Sequence, residues 1–476
     1  MGYTDLRGWI EEVDKIGELK RLDGVDWNLE IGAITEIVCR ENKSRPALLF
    51  DKIKDYPQGF RVLSGLLNTM PRLALTVGTD KEITGLQFVQ EWRNRMRNLK
   101  PIPPTLVSSG PVMENIMEGD DIDMTKFPAP FWHEKDGGRY IGTASITITK
   151  DPDSDWVNLG TYRVQVHDKN TLGFYMSPGK HARIHREKYF AEGKPCPVVM
   201  SFGHDPLLFV TSTLQMPPGV CEYDTAGGIR GEPIQIIKGS FTGLPIPAHS
   251  EIVIEGESVL TENRVEGPFG EFTGYYGSAE RPEPFIKVKR VMYRNNPIIT
   301  GAPPFRPPSD CSFYYCPLIS ATVWENMERA GIPDIKGVWQ HEAASNWAFT
   351  VVSITQRYPG HSRQAGLLAS QVMGGAYMNR YVVVVDEDID PSNMDDVLWA
   401  MSTRADPATA VEILHRCWSG PLDAAIPTQD KGFNSRMIID ACRPYEWKDK
   451  FAEVVGTSPE LRQKVFNRFG ADTILK

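Results

Sequence analysis

Helical and strand-like patterns alternate along the first part of the chain, up to about residue 112. Apolar residues recur at helical spacing in four places, and two short apolar runs are typical of strands. The predicted helices cover 4–22, about 29–40, 71–78 and 84–98, and the predicted strands cover 47–50 and 61–66. Thr4 is the predicted N-cap of the first helix. The Pro-rich run at 100–104 then predicts a linker.

Strands dominate the next part of the chain, from about residue 140 to residue 300. They are predicted over 140–150, 158–167, 197–202, 251–255 and 284–300. The last of these is predicted to be a hairpin that turns at 294–297, and one helix is predicted over 181–192. Strands at this density, separated by Gly-rich turns, indicate a barrel or a curled sheet.

Helices and strands alternate again after about residue 315. Helices are predicted over 316–330, 363–373, 394–403 and 458–469, and strands over 346–355, 380–386 and 436–441. The valines at 382–385 make their strand apolar on both faces, as expected for a buried parallel strand. The chain is therefore predicted to be a mixed α/β (α+β) protein with three segments, which cover 1–112, 113–315 and 316–476.

Composition and charge exclude several classes of function. The chain has 52 Lys and Arg against 61 Asp and Glu, and a net charge of -9 does not suit a nucleic-acid partner. No apolar run approaches the roughly 20 residues that a membrane span needs, and the N-terminus shows no export signal. The seven cysteines form no C-x-x-C pair, so we expect a reducing, cytoplasmic location without a disulfide framework.

The hexapeptide Glu266–Glu271 places two carboxylates on either side of a Gly-Pro-Phe-Gly turn. Paired acids in unequal environments can hold different pKa values, and a buried carboxyl becomes a usable proton donor. Arg163 could keep one acid ionised and also bind a substrate carboxylate. The pattern alone leaves open that the two acids are solvated turn residues and that Arg163 is a surface charge.

A second candidate group combines an amide oxygen from Asn158, an imidazole from His181 and a carboxylate from Glu222. This mixed oxygen and nitrogen set suits Mn²⁺ or Mg²⁺ better than Zn²⁺ or copper. The three residues do not form a local motif, so the spacing alone also allows a turn asparagine and a helix-capping histidine.

Taken together, these segments resemble the UbiD family of prenylated-FMN-dependent decarboxylases. The resemblance covers nearly the whole chain, from the helix at 5–10 to the segments at 384–390 and 398–404. Its most specific parts are Asn158–Arg163, the order Asn158, His181 and Glu222, and Glu266–Glu271.

The resemblance implies a strand-rich, split-barrel-like flavin-binding domain between an N-terminal α/β region and a C-terminal α/β dimerisation domain. It implies that Asn158, His181 and Glu222 bind Mn²⁺ (or Mg²⁺). It also implies a K⁺ site at Trp156, Thr211, Ser212 and Leu214. The implied contacts of prenylated FMN are Thr143, in a strand beside the flavin, Asn158, Leu159, Gly160, Thr161, Tyr162, Arg163, Lys180, His181, Glu222 and Arg380. Relatives often carry Lys where Arg380 stands.

The implied activity is reversible decarboxylation of an aromatic, heteroaromatic or α,β-unsaturated carboxylic acid. The cofactor would serve as electron sink, Arg163, Glu266 and Glu271 would be catalytic, and Glu271 would donate the proton. A flavin prenyltransferase would supply the cofactor, and the chain would form a homodimer or a higher homo-oligomer. Phenolic-acid relatives can carry a histidine near the segment 313–315, and its absence here argues against a protocatechuate-type substrate.

Two alternatives remain at this level. A non-catalytic flavin-binding protein would need neither Glu266 nor Glu271. An ordinary FMN oxidoreductase would carry unmodified FMN and would consume NAD(P)H without releasing CO₂.

Overall fold

The computed structural model describes residues 2–277 and 279–475, which form four sheets with helices packed around them. The helices are α1 (Leu6–Lys15), α2 (Glu30–Glu41), α3 (Met70–Val77), α4 (Gly85–Arg97), α5 (His181–Ala191), α6 (Pro206–Thr213), α7 (Glu222–Arg230), α8 (Tyr315–Arg329), α9 (His361–Ala369), α10 (Met394–Arg404), α11 (Pro459–Phe469) and α12 (Ala471–Leu475). The strands are β1 (Leu19–Asp23), β2 (Ala47–Asp51), β3 (Arg61–Ser64), β4 (Thr105–Leu106), β5 (Asn115–Glu118), β6 (Arg139–Gly142), β7 (Ile146–Lys150), β8 (Val157–Gly160), β9 (Val164–Val166), β10 (Thr171–Phe174), β11 (Cys196–Phe202), β12 (Gln235–Lys238), β13 (Pro245–Pro247), β14 (Ile252–Glu266), β15 (Arg281–Tyr293), β16 (Ile298–Gly301), β17 (Ile335–Gln340), β18 (Phe349–Ile354), β19 (Tyr381–Asp386), β20 (Val411–Trp418) and β21 (Phe433–Ala441).

The first helix is shorter than its pattern predicts. It begins after Asp5, whose side chain accepts a hydrogen bond from the Gly8 N–H, so Asp5 and not Thr4 is the N-cap. The chain leaves the helix at Gly17, which has a φ of 74° and is well suited to this left-handed turn. The segment then continues as β1, which pairs in parallel with β2. The predicted helix over 4–22 is therefore too long, because its apolar spacing continues across a turn and into a strand.

The central sheet is a nine-stranded antiparallel sheet, in the order β6-β9-β10-β15-β14-β11-β7-β8 with β5 beside β15. Three residues connect β6 to β7, and three connect β8 to β9. In a flat sheet each connection would cross six strand spacings, or about 29 Å. Such a connection reaches at most about 14 Å. The sheet must therefore curl until its two ends face each other, with 143–145 and 161–163 crossing the gap.

These crossings explain why two of the strand predictions need correction. The stretches 140–150 and 158–167, predicted as single strands, are each broken where the chain changes ends of the sheet. The predicted hairpin over 284–300 is wrong, because β15 stays in the central sheet and β16 pairs in parallel with β3 of the N-terminal sheet.

The helices α6 and α7 were not predicted. All eight residues of α6 are buried, so its sequence lacks a polar face.

The C-terminal sheet has the order β17-β18-β19-β21-β20, with three parallel strands at its centre. The valines at 382–385 are fully buried in β19, so the prediction of a buried parallel strand is confirmed. The outer strands β17 and β20 were not predicted. β20 has a half-exposed, irregular burial pattern, and Gly337 interrupts β17. The predicted α/β class is confirmed, whereas the segment boundaries at 112 and 315 remain predictions.

In the part of the chain that the structure describes, every helix is too short or too polar to cross a membrane. All seven cysteines are free thiols.

A close approach between α2 and the segment before β6 yields a test of the fold. A Cβ atom on Gly32 would lie 1.9 Å from the Trp132 carbonyl oxygen. The Leu29 N–H donates to the Phe131 carbonyl oxygen at 3.0 Å, which fixes this contact. We expect Gly32→Ala to lower the free energy of unfolding by about 1–3 kcal/mol because backbone must move to admit the methyl group. Urea-induced unfolding measures the change.

Gly456→Ala is the control, because a Cβ atom at Gly456 would have no heavy atom within 4 Å. Its free energy of unfolding should stay within about 0.5 kcal/mol of the original chain. Equal effects of the two substitutions would contradict the close packing of α2 on Trp132.

Candidate active site

A cavity of about 640 Å³ lies between the central sheet and the C-terminal domain. One side of its wall comes from 158–162, 177–181, 212–216 and Glu222. The other side consists of Phe272, Tyr315, Trp347, Tyr377, 418–422, Lys431 and Gly432. Its volume is in the range of pockets that hold small molecules and cofactors, so this cleft is the candidate active site.

Arg163 lies in the short crossing between β8 and β9 and binds both predicted acids. Its Nε donates to Glu266 Oε1 at 2.7 Å, and a second nitrogen donates to Glu266 Oε2 at 2.8 Å. Its remaining terminal nitrogen donates to Glu271 Oε1. Glu266 is the last residue of β14, and Glu271 follows the Gly-Pro turn. The structure thus brings all three predicted catalytic residues together.

The acids of this network are buried, and burial affects the protonation of Glu271. Glu266 and Glu271 are only 1% and 7% exposed. Burial raises the pKa of Glu271, and the neighbouring Arg163 opposes that rise. Burial also disfavours charge on Arg163, but the two carboxylates outweigh it and raise the pKa of the guanidinium. Glu271 is therefore disposed to carry a proton.

The Gly-Pro turn is held by residues far away in the sequence. The Gly137 N–H donates to the Pro268 carbonyl oxygen at 2.7 Å, and Asp136 accepts from the Gly270 N–H at 3.2 Å. The Tyr140 hydroxyl donates to Glu266 at 3.1 Å, and its ring lies 4.1 Å from that of Phe269. No sequence pattern pointed to these supporting residues, because each lies more than 120 positions before its partner.

The Arg163 network borders the cavity. Phe272, which follows Glu271 in the chain, is part of the wall, as is Leu422. A Cβ atom at Gly277 would lie 3.1 Å from the Leu422 carbonyl oxygen and 3.4 Å from the Glu271 side chain. Glu271 therefore lies directly behind the surface that a substrate would contact.

The three predicted metal ligands all reach the cavity wall. Asn158 Oδ1 lies 3.2 Å from His181 Nδ1, and Glu222 accepts from the Leu159 N–H at 2.8 Å. Asn158 is 2% exposed, and its Nδ2 atom has no hydrogen-bond partner among the described residues. The arrangement fits a hard divalent cation, which would accept an amide oxygen, an imidazole and a carboxylate.

The protonation states of this group depend on its burial. Burial and the neighbouring Lys180 lower the pKa of His181, which favours the neutral imidazole that metals bind. Burial raises the pKa of Glu222 to about 8. Residues 2–277 and 279–475 contain no cluster of three or more His, Cys, Asp and Glu side chains arranged for a metal ion. The candidate set has only two members of those types, and its third member is an amide.

The structure places two of the four predicted K⁺ residues in the cavity wall and two outside it. Ser212 and Leu214 line the cavity, whereas Trp156 and Thr211 lie outside its wall. The Ser212 hydroxyl lies 2.8 Å from that of Thr161. The Trp156 ring packs edge-on against His181 at 4.8 Å, so it supports a predicted ligand.

The predicted cofactor contacts at 158–162, together with Lys180, His181 and Glu222, also line the cavity. The three remaining predicted contacts lie outside the cavity wall. Arg163 directly follows Tyr162 of the wall but is not itself part of it. Thr143 lies in the crossing between β6 and β7, not in a strand, and accepts from the Ala302 N–H at 2.9 Å. Arg380 lies outside the cavity wall and donates to both carboxylate oxygens of Asp423, at 2.7 and 2.8 Å.

The far end of the cavity is aromatic. The Trp347 ring lies 4.9 Å from Phe272, 5.3 Å from Tyr315 and 6.0 Å from Tyr377. Tyr377 in turn lies 5.1 Å from Trp418. Of this group, sequence analysis singled out only the neighbourhood of Tyr315, because the five residues come from separate loops and elements and share no motif.

Comparison with known proteins identifies the family. Models of the N-terminal, Rift-related and C-terminal domains of UbiD, 3-octaprenyl-4-hydroxybenzoate carboxy-lyase, match residues 10–92, 105–307 and 312–441 in turn. The chain is 33% identical over 460 residues to the pyrrole-2-carboxylic acid decarboxylase of Pseudomonas aeruginosa, which covers 93% of this chain and 92% of the relative.

Solved structures agree with these matches. The closed form of the vanillic acid decarboxylase of Sedimentibacter hydroxybenzoicus is 28% identical, with a TM-score of 0.87 over 100% of this chain and 99% of that one. An evolved dimeric form of the UbiD-class enzyme HmfF from Pelotomaculum thermopropionicum, in complex with prenylated FMN, is 27% identical, with a TM-score of 0.82 over 97% of this chain and 98% of that one. The chain therefore belongs to the UbiD family of carboxy-lyases.

Proposed function

We propose that this chain decarboxylates an aromatic, heteroaromatic or α,β-unsaturated carboxylic acid, reversibly and with prenylated FMN, in the cavity described above. The observation that carries the proposal is the guanidinium of Arg163, held between Glu266 and Glu271 at the border of that cavity. A flavin-storage protein or an FMN oxidoreductase would not need this buried pair of acids, so the network favours a carboxy-lyase over both.

The residues present fit the cofactor. A flavin phosphate matches the end of the cavity that holds Lys180 and the predicted metal ligands, and a flavin ring matches the apolar walls beyond it. When bound, prenylated FMN supplies the electron sink that loss of CO₂ from an sp² carbon requires and that protein side chains lack. The complex of the similar enzyme HmfF with prenylated FMN supports this choice.

The chain's own residues would orient the acid and move the proton. The Arg163 guanidinium offers N–H donors in a plane, which suits a substrate carboxylate as well as its two glutamates. Burial keeps Glu271 disposed to be protonated, so its carboxyl can donate a proton to the carbon that has lost CO₂. The same carboxylate would remove that proton in the carboxylation direction.

The aromatic end of the cavity supports a planar substrate. Phe272, Trp347 and Tyr377 offer ring faces and edges that stack well on an aryl or conjugated acid. The names of the similar enzymes, which act on pyrrole-2-carboxylic and vanillic acids, agree with such a substrate.

We further propose that Asn158, His181 and Glu222 bind Mn²⁺ or Mg²⁺ and that K⁺ binds near Ser212 and Leu214. A flavin prenyltransferase would supply the modified cofactor. A second copy of the chain is the proposed partner. The described residues of α11 and α12 are all exposed or half-buried, and apolar side chains such as Val455 and Phe469 are exposed around them.

The proton-donor role of Glu271 is directly testable. We expect Glu271→Gln to lower the rate of CO₂ release from a panel of aryl acids by about 10²–10⁴-fold, because general acid catalysis contributes on this scale. The protein would be produced together with a flavin prenyltransferase, and its cofactor content would be measured by absorbance before each assay.

Glu280→Gln is the matched control, since Glu280 is an exposed glutamate nine positions away. Its activity and cofactor content should equal those of the original chain. Full turnover by Glu271→Gln at equal cofactor content would rule out the role assigned to Glu271.

The buried ion pairs predict how the stability of an Arg163 variant depends on pH. Arg163→Met leaves two buried glutamates without their cation, and the loss of that cation raises the pKa of Glu271 further in the folded state. A protein that contains an acid with a raised folded-state pKa becomes less stable as the pH rises from the unfolded-state pKa of that acid to the raised value. We expect a loss of about 3–5 kcal/mol near pH 8 and a smaller loss near pH 5, measured by urea unfolding at both pH values.

Arg264→Met serves as the control for this pH dependence. Arg264 lies on β14, two residues before Glu266, its side chain is 52% exposed, and its nearest carboxylate oxygen is 4.0 Å away. Its removal should change the free energy of unfolding by less than about 1 kcal/mol at either pH. An Arg163→Met loss that is equal at both pH values would contradict the account of the buried acids.

The metal assignment predicts a specific loss of bound ion. Glu222→Gln keeps the shape of the side chain but removes its negative charge. We therefore expect Mn²⁺ affinity, measured by equilibrium dialysis, to fall at least about tenfold. Asp224→Asn, two positions along the same helix and outside the cavity wall, should bind Mn²⁺ as the original chain does. Equal Mn²⁺ binding by the two variants would remove Glu222 from the ligand set.

A further inference from the structure

A second arginine lies beside the catalytic network. Arg281 is the first residue of β15 and the antiparallel partner of Glu266, the last residue of β14. Residues directly opposite each other in an antiparallel pair have their Cβ atoms about 4.5–5.5 Å apart on the same face of the sheet. The Arg281 side chain therefore leaves the sheet on the same face as Glu266, which binds Arg163. The reaction proposed for the cavity uses only one of these two arginines.

One buried tyrosine contacts both guanidiniums. Tyr175 follows β10 directly and is 7% exposed. The central guanidinium carbon of Arg281 lies 3.7 Å from the centre of the Tyr175 ring, and that of Arg163 lies 4.7 Å from the same centre. Both distances are within the range of cation–π attraction, which is strongest where water is excluded. The ring thus attracts two cations that repel each other, and it links Arg281 to Arg163.

Aromatic rings limit how the Arg163 guanidinium can tilt. Its N–H donors lie in the plane of the group and are taken by the two glutamates. Besides Tyr175, the Phe269 ring packs on this group, with its centre 5.3 Å from the guanidinium carbon. The Tyr175 hydroxyl accepts a hydrogen bond at 3.3 Å from Ser177, which is part of the cavity wall. The position of the Tyr175 ring is therefore coupled both to Arg163 and to the wall.

The charge of Arg281 is only partly matched by its own partners. Its Nε lies 3.1 Å from Glu283 Oε1 in an ion pair. Its Nη2 is buried and has no hydrogen-bond partner among the described residues. Glu283 also interacts with Arg183 and Arg186, so three arginines share one carboxylate. Arg281 therefore contributes positive charge to the surroundings of the network.

Several elements place charged or titratable groups near the Glu271 carboxylate. Among the described residues, these groups belong to Arg163, Glu266, Arg281, Cys311 and Tyr377. Burial raises the pKa values of Cys311 and Tyr377, so both stay neutral near pH 7. Burial and Glu266 raise the pKa of Glu271, whereas Arg163 and Arg281 lower it. Arg281 is thus a second cation that favours the ionised form of this acid.

We propose that Arg281 and Tyr175 are positioning residues, which hold the Arg163 guanidinium against its two glutamates and set the charge around Glu271. These roles deepen the proposed function and rest on it, because they concern its proton donor. Tyr175 supplies the ring against which Arg163 is held, and Arg281 fixes that ring and adds a positive charge. Neither residue lines the cavity, so neither is assigned a contact with the substrate.

Arg281→Gln tests the charge. The infrared band of a protonated carboxyl group that disappears in Glu271→Gln reports the protonation of Glu271 in the full-length protein without an activity assay. We expect the midpoint of its pH titration to move to higher pH in Arg281→Gln, because a cation that favours the carboxylate is lost. The alkaline limb of kcat/KM for CO₂ release should move in the same direction, since the protonated acid is the donor.

Two further variants separate charge from stacking and from general effects. Arg281→Lys keeps the positive charge but lacks the planar group that stacks on a ring, so the midpoint should stay near that of the original chain while kcat falls. Lys287→Gln is the matched control, because Lys287 lies on the same strand with a side chain that is 46% exposed. It should change neither the midpoint nor kcat.

Tyr175→Leu tests the ring, and it carries the test if Arg281→Gln fails to fold. We expect kcat to fall about ten- to a hundredfold at equal cofactor content, because Arg163 is no longer held in its productive position. Tyr175→Phe restores the ring without the hydroxyl and should recover most of this loss. Full kcat in Tyr175→Leu would overturn the role of Tyr175.

The outcomes distinguish these roles from the proposed function. If the original chain releases no CO₂ from any acid, the proposed function fails, and a midpoint that still moves in Arg281→Gln upholds the link between Arg281 and Glu271. If the original chain releases CO₂ but Arg281→Gln moves neither the midpoint nor the alkaline limb, the proposed function stands and the role of Arg281 is overturned. An equal shift in Lys287→Gln would also overturn it, since any cation on the strand would then have the same effect.

Discussion

The buried contact of Arg163 with Glu266 and Glu271 is the interaction on which the active site depends. A guanidinium that is removed from water must be matched by carboxylates in good geometry, and here two glutamates occupy its donors. The pairing holds one acid by two hydrogen bonds and leaves the other with one. This asymmetry distinguishes a glutamate that anchors the arginine from a glutamate that can exchange a proton.

The curled central sheet makes this contact possible. Because its two ends face each other, a crossing of only three residues carries Arg163 from β8 to β9. The same curl brings β6 and the residues before it beside the turn after β14, where Asp136 and Gly137 bind the backbone of that turn. The catalytic turn is therefore held by the sheet that it completes, which is how a loop can keep a fixed geometry.

The cavity divides into two chemically different ends. Lys180, helix N-termini and the candidate metal ligands lie at one end, and aromatic rings packed edge to face lie at the other. An anchored anionic group and a planar reacting group can thus be held by different parts of one cleft. Most of the polar end belongs to the central sheet domain, and most of the aromatic end belongs to the C-terminal domain. Movement of one domain against the other would change the distance between the two ends.

Local patterns in the sequence were sufficient for the α/β class, for most helices and for the buried valine strand β19, since periodicity and apolar runs reflect burial directly. They misplaced the end of α1, joined β15 to β16 as a hairpin and missed α6, because a single turn residue, a distant pairing or a fully buried helix leaves no periodic signal. The Gly-Pro turn singled out Arg163, Glu266 and Glu271 as candidates, family resemblance implied their catalytic roles, and the structure brought the three residues together. Only the tertiary structure separated Arg380 from the cavity and placed Lys431 in its wall. Those positions depend on which side chains meet across the cleft, and sequence spacing does not encode contacts between residues that lie far apart in the chain.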